Sequence, residues 1–334
     1  MLFRSEVVPG ALDYARRNPA DRVILVGPPD VIRQHAPTLP PNAEIVPASQ
    51  TIEMHEHPAK SLVRKPDSTI AVATQLVRDG KADAVVTAGH TGAGMAAGAL
   101  FLGTLPGVDR PGLAVQMVRK GRPFVLIDIG ANPDSRPEHL ATYGRMGAIF
   151  AERVLGIAAP RVALLSIGEE KGKGDRRIHE ATELLDQSGL NFVGNVEGKD
   201  LTGDLADVVV TDAVAGNIVI KFFEGLSSFI FDLLRAEFRS GIRGRLAYLL
   251  LKPGVDRIRR VFDYETVGGS PLLGVRGTVI ITHGRARKRM IRYAVEVGAK
   301  TARTRVPVLI EESLRARPVG TPVGGEPAVG AGPG

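Results

Sequence analysis

Cysteine and tryptophan are both absent from the 334 residues, and aromatic side chains make up only 5%. Without cysteine there is no disulfide, no thiolate metal ligand and no cysteine nucleophile, which fits a reducing cytoplasm. With so few aromatic rings, stacking platforms for single-stranded nucleic acid are not expected, and nucleic acid is not an expected partner. No run approaches the roughly 18 consecutive apolar residues of a membrane-spanning helix. The start, MLFRSEVVPG, has neither the apolar run nor the cleavage site of a signal peptide. No Gly-Lys-Ser/Thr phosphate loop is present at the required spacing. Gly27-Pro28-Pro29 stands where a dehydrogenase would carry GxGxxG after its first strand. Internal repeats are also absent.

What remains is the composition of a globular chain, 44% hydrophobic and 24% charged, long enough for one large α/β domain or two ordinary ones. The net charge of +7 is unevenly spread. Eight Lys or Arg lie from Arg235 to Arg260 against Glu237 and Asp256, and eight more from Arg285 to Arg305 against Glu296 alone. Such runs are solvated helix faces or docking surfaces for acidic partners: nucleic acid, anionic lipid or an acidic carrier protein.

Short Val/Ile/Leu-rich runs predict buried strands at Arg22–Val26, Ala84–Thr87, Phe124–Asp128, Val162–Ser166, Asp207–Val210 and Thr278–Thr282. Helical stretches such as Ser68–Asp79, Glu138–Leu155 and Arg177–Gln187 alternate with them. This β-then-α order predicts an α/β fold with a mostly parallel sheet covered on both faces, residues 1–317 forming one domain. Gly216–Phe262 reads as an amphipathic helical hairpin broken near Lys252-Pro253-Gly254. The segment Pro318–Gly334 holds ten Pro or Gly and should not bury a core.

Ligands of open α/β sheets bind beyond the carboxyl ends of strands, so the loops there carry the candidate chemistry. Gly89, His90, Thr91, Gly92 and Ala93 open an Ala/Gly-rich helix, which suits close approach of an anion or simply tight helix packing. Asp128 ends an apolar strand and leads into Gly130 and Asn132. An Asp there binds a ligand, orients a base or caps a turn. Glu169 sits in a Gly/Lys-rich loop and is a candidate for acid/base work. Asn195 and Glu197 lie in Gly194-Asn195-Val196-Glu197-Gly198. Asp212, Gly216 and Asn217 open a helix, where such an Asn is more often a cap than a ligand group, with Lys221 one turn on. His283 ends the last strand and can donate to a leaving group or be structural. His55 and His57 have no third ligand placed by spacing, so no metal site is expected.

Taken together and in order, these loops resemble the PlsX family, the acyl-ACP:phosphate acyltransferases. The family's IxMxExPxxSLRxKxxSS run is matched by Ile52–Ser68, SAGNTGA by Thr87–Ala93 and the PGIDRP-like turn by Pro106–Pro111. DxGAN is matched by Asp128–Asn132, KPEHL by Arg136–Leu140 and NIGEE by Ser166–Glu170. NFxGNVEGRD is matched by Asn191–Asp200, DGFxGN by Asp212–Asn217 and YxxxGGAPLLGVxGxVIxxHG by Tyr264–Gly284. The colinear match covers about Glu6 to Pro307.

The resemblance implies a three-layer α/β/α fold of the phosphotransacetylase or isocitrate dehydrogenase-like kind. It implies a cytoplasmic homodimer, peripheral at the inner membrane face, that moves a fatty acyl group from acyl carrier protein to inorganic phosphate. The acyl phosphate would feed a membrane glycerol-3-phosphate acyltransferase. No metal or organic cofactor is implied. Within that reading Gly89–Ala93 would cradle phosphate, and Asn132 and Asn217 would donate to phosphate or oxyanion. Asp128, Glu169, Asp212 and His283 would orient groups or move protons. Gly130, Asn195, Glu197, Gly216 and Lys221 would line the substrate. The alternatives are a short-chain phosphate acyltransferase using acyl-CoA, and a non-catalytic adaptor for a carrier protein or membrane surface.

The chain departs from the family pattern in four places. No first strand ending in DAMGGD precedes Met1, so roughly 15 residues are expected to be wanting, through a truncated sequence or an impaired protein. His90 stands for a usual Asn, Ser135 for a usual Cys, and Ala213-Val214 for a usual Gly-Phe.

Overall fold

The computed structural model describes residues 3–119, 122–261 and 264–320. The strands are β1 (Val23–Val26), β2 (Ala43–Val46), β3 (Ala84–Thr87), β4 (Gly112–Arg119), β5 (Arg122–Ile127), β6 (Val162–Leu165), β7 (Phe192–Val196), β8 (Val208–Val210), β9 (Ser270–Leu273) and β10 (Thr278–Ile281). The helices are α1 (Phe3–Arg17), α2 (Pro29–His35), α3 (Pro58–Arg64), α4 (Thr69–Arg78), α5 (Thr91–Ala97), α6 (Pro137–Phe150), α7 (Arg176–Asp186), α8 (Ala213–Arg239), α9 (Gly241–Val261), α10 (Lys288–Arg303) and α11 (Val306–Ala316).

The β-branched runs form strands because branched side chains pack well on a pleated surface buried on both faces. Eight strands lie in the order β3-β10-β9-β4-β5-β8-β6-β7, while β1 and β2 pair separately. The β3–β10 pair is parallel, and so is the set β5, β8, β6 and β7. Between them β9 pairs antiparallel with both β10 and β4, and β4 antiparallel with β5. Each half is therefore parallel within itself, and the two halves run in opposite directions.

The loops at the carboxyl ends of strands, which carry the candidate chemistry, therefore do not lie along one rim of the sheet. The antiparallel β9–β4 seam reverses the chain, so the carboxyl ends of the two halves point toward each other instead of along one edge. The seam consists of the pairs Gly112–Leu273 and Leu113–Leu272.

The main core lies around α6, whose Tyr143, Met146 and Phe150 are fully buried against Val125, Ile127, Val162 and Val208. Helix α4 packs on both β1 and β3, while α1 covers β1 and packs on α10, which covers β3. The strands β1 and β3 thus lie in one layer. Among the described residues no strand joins their facing edges.

The helical hairpin is present, but its break is elsewhere. Helix α9 runs through Pro253, and the chain turns at Ser240-Gly241, where Gly241 takes a left-handed φ of 69°. Phe262, the expected end of the hairpin, and residues 321–334 of the Pro/Gly tail lie outside the described residues. Helix α8 is long and apolar enough, by length and composition, to cross a membrane, although no uninterrupted apolar run was visible. Lys221 and Glu224 interrupt the run, yet an 18-residue stretch that contains both stays apolar on average. Its base, however, belongs to the sheet domain, because Ala213 and Gly216 are buried there.

Candidate active site

Asp128 is completely buried at the end of β5. Its Oδ1 accepts hydrogen bonds from the N–H groups of Leu113, Gly130 and Ala131 at 3.0, 3.0 and 2.9 Å, and its Oδ2 accepts from Asn132 N–H at 2.7 Å. Burial pushes its carboxyl above the usual range, and the four N–H donors oppose that rise. Both oxygens are engaged, so Asp128 shapes the 129–132 loop and does not face substrate. Asn132 is committed as well: its Nδ2 donates to Pro111 O at 3.0 Å and to the Tyr143 hydroxyl. The donor to phosphate expected at Asn132 is therefore spent on packing.

Helix α8 is placed against this loop by a close backbone approach. A Cβ on Gly216 would stand 2.0 Å from the Asp128 carbonyl oxygen, so only glycine lets the helix start sit there. Asp212 is the N-cap of α8, its Oδ1 accepting from Val214 and Ala215 N–H at 2.9 and 3.0 Å. Its Oδ2 accepts from Arg177 at 2.9 Å. Asn217 is exposed one turn in.

Farther along α8, the Lys221 Nζ lies 3.5 Å from His283 Nε2, which follows β10 in the opposite half of the sheet. His283 Nδ1 accepts from Arg285 N–H at 3.1 Å, so the neutral ring carries its proton on Nε2. Desolvation first, and then the Lys221 ammonium, hold this imidazole below its usual range. Two hydrogen-bond donors thus converge across the seam, and the Lys221 ammonium also pairs with Glu224 at 2.9 Å.

His90 caps α5. Its Nδ1 accepts from Ala93 N–H at 3.4 Å, and its Nε2 faces Glu56 O at 3.2 Å, which assigns that nitrogen the proton. A ring nitrogen here does what an Asn side-chain oxygen does at an N-cap. The helix-start N–H of Ala93 is already taken, while a Cβ at Gly89 would meet only the Thr87 hydroxyl at 3.8 Å and Thr91 is exposed. The close approach of Pro58 and the His90 ring, 2.9 and 3.1 Å from where a Cβ would stand, explains Gly92. Replacing His90 by alanine should cost about 1 kcal/mol of stability, and by asparagine only a few tenths. Urea denaturation of the two variants checks this, and equal losses would remove the capping role.

The remaining candidates separate. Glu169 and Glu197 are drawn together by Lys199, at 3.4 and 3.1 Å. Glu169 is exposed, and Glu197 begins a short turn closed by Asp200. Asn195 is buried, its Oδ1 accepting from Thr182 of α7 at 3.2 Å. Gly130 has open space around it. Among the described residues no group of three or more His, Asp or Glu is placed to hold a metal ion.

The sequence model of a family described as fatty acid synthesis protein matches residues 4–309, nearly the whole of this architecture. The chain belongs to the PlsX family. A phosphate acyltransferase of Brevibacillus brevis is 40% identical over 313 residues, 93% of each chain. Another, of Desulfitobacterium hafniense, is 44% identical over 296 residues, 88% of each. Two solved structures share the fold at low identity. The EutD phosphotransacetylase of Staphylococcus aureus has a TM-score of 0.57 at 17% identity, covering 87% of this chain and 90% of its own. A phosphotransacetylase of Streptococcus pyogenes has a TM-score of 0.56 at 16% identity, covering 88% and 91%.

In this PlsX-family chain one site residue escaped sequence reasoning altogether. Arg177 stands in the first turn of α7 and bridges Asp212 and Asp175 at 2.9 and 3.5 Å, tying α7 to the start of α8. Nothing local marks it, because Arg176 beside it is exposed and pairs within its own helix.

Proposed function

We propose that this chain transfers a fatty acyl group from acyl carrier protein to inorganic phosphate. The observation that carries the reading is the meeting of Lys221 and His283: two donors from opposite halves of the sheet, in a family whose relatives are phosphate acyltransferases. A phosphate oxygen forms a bond to the acyl carbon, the carbon–sulfur bond breaks, and the pantetheine sulfur leaves as thiolate. Phosphate is already ionised at neutral pH, so the site's work is to position it and to stabilise the tetrahedral oxyanion. Lys221 and the neutral His283 N–H supply that stabilisation, the Nε2–H can hydrogen-bond the departing thiolate without giving up its proton, and the thiolate takes its proton from solvent after release. Gly89, Gly130 and Asn217 remain open to substrate, while Asp128, Asn132 and Asp212 hold the loops that carry it. The test is phosphate-dependent consumption of palmitoyl-ACP with acyl phosphate detected by phosphorus NMR, beside acetyl-CoA. Turnover of acetyl-CoA alone would move the assignment to a short-chain enzyme.

The reading extends to a cytoplasmic homodimer working at the membrane face, handing acyl phosphate to a membrane glycerol-3-phosphate acyltransferase. What supports it is the hairpin's surface. Ile218, Phe222, Phe229 and Leu233 leave an exposed apolar row on α8, fit for a second copy. Leu246, Leu249, Leu250 and Leu251 are exposed on α9 amid Arg243, Arg245 and Lys252, a pattern suited to anionic lipid. Leu250→Glu should lower flotation of the protein with phosphatidylglycerol liposomes severalfold. Unchanged flotation would reject the lipid contact.

A further inference from the structure

From the structure we infer that the start of α10, beside the candidate active site, is the docking surface for the acidic protein that carries the thioester. This rests on the acyl-carrier reading above and adds where that partner binds. His283 is followed within six residues by Arg285, Arg287, Lys288 and Arg289, all four exposed. Arg287 is the N-cap of α10, and Lys288 and Arg289 begin its first turn, which contains no acid. Helix N-termini carry partial positive charge, so cations there oppose the macrodipole. Helix stability therefore gives no account of this cluster.

Nor does internal pairing. Arg292 is held by Asp13 at 3.4 Å and stacks on the Tyr293 ring at 3.9 Å, and Arg289 has Glu265 at 3.9 Å. Glu6 is spent on the Lys288 backbone N–H at 2.7 Å. Among the described residues, no acidic side chain forms an ion pair with Arg285, Arg287 or Lys288. Arg287 and Lys288 rim an open cleft of about 510 Å³ between α1 and α10, where Arg17, Arg289 and Arg292 outnumber, together with them, the carboxylates of Glu6, Asp13 and Glu265. Between His283 and Arg305 no large apolar side chain is exposed, so the face has nothing to insert into a bilayer, unlike α9. A rigid, polar, positively charged surface beside the reacting centre fits an acidic protein surface, which would steer the tethered thioester toward Lys221 and His283.

The test is the double variant Arg287→Glu/Lys288→Glu, assayed with phosphate and two donors of the same chain length, palmitoyl-ACP and palmitoyl-pantetheine. The expected result is a rise in KM for palmitoyl-ACP of about tenfold or more, with kcat within about twofold. Palmitoyl-pantetheine kinetics should be unchanged, and the salt dependence of the ACP reaction flattened. An unchanged KM for ACP, or equal losses with both donors, overturns the docking surface. Should the charge reversal fold poorly by circular dichroism, Arg287→Gln/Lys288→Gln is read in the same way, with a smaller shift. Wild-type turnover of palmitoyl-pantetheine but not of palmitoyl-ACP would overturn the donor reading and this surface with it.

Discussion

Replacing Asp128 by alanine should lower the unfolding free energy by about 3 kcal/mol or more. Four backbone N–H groups end on that carboxylate, and each buried donor left without an acceptor costs roughly 1–3 kcal/mol. Leu113 belongs to β4 and the other three to the loop after β5, so the loss would loosen the loop from the seam as well as from its own strand. Asparagine should be intermediate. Its oxygen can keep the three contacts of Oδ1, but its amide N–H groups would face the Asn132 N–H that now donates to Oδ2. Urea denaturation at unchanged slope measures the series. Alanine and wild type unfolding at the same midpoint would show that the loop is held by something else.

The second large effect is on turnover. Lys221→Met should lower kcat by about 10²- to 10³-fold, the usual loss when one preorganised oxyanion donor is removed. Lys221 is half-exposed and its ion pair among the described residues is with Glu224 on its own helix, so stability should hardly change. His283 gives the same prediction a pH signature. Its imidazole is held below the usual range, hence neutral at pH 7, and it gains a second proton only as pH falls through that lowered value. The Nδ1 that would take this proton already accepts from Arg285 N–H. The acid limb of kcat/KM should therefore lie below the ordinary imidazole value in the wild type. It should move to higher pH in Lys221→Met, where a neighbouring positive charge is gone, and disappear in His283→Gln. An acid limb unmoved by either change would take His283 out of the reaction.

Val/Ile/Leu runs made β1, β3, β5, β6, β8 and β10 legible, and β3 was bounded to the residue, but β2 and β4 were missed although Ile45-Val46 and Leu113-Ala114-Val115 lie in them. The other two missed strands have physical reasons. Gly194 interrupts β7 with a φ of 95°, and β9 is four residues that begin inside a Gly-Gly-Ser-Pro turn. The reversal of direction is invisible locally, because it depends on β4 meeting β9 from far along the chain. The site shows the same division. A lone Asp at a strand end announces that something polar must satisfy it. Its sequence could not say that Leu113 and three loop N–H groups take both oxygens of Asp128, or that Arg177 claims Asp212. In the sequence Lys221 is one more cation on a helix face, and the crossing of α8 over the seam is what brings it to His283.

The unjoined edges of β1 and β3 have a colloidal consequence. Backbone donors and acceptors along such edges are templates for any extended peptide that comes near. Here two such edges lie against the same helix, α4. Solubility should then depend on how well those edges stay covered as well as on the net charge of +7.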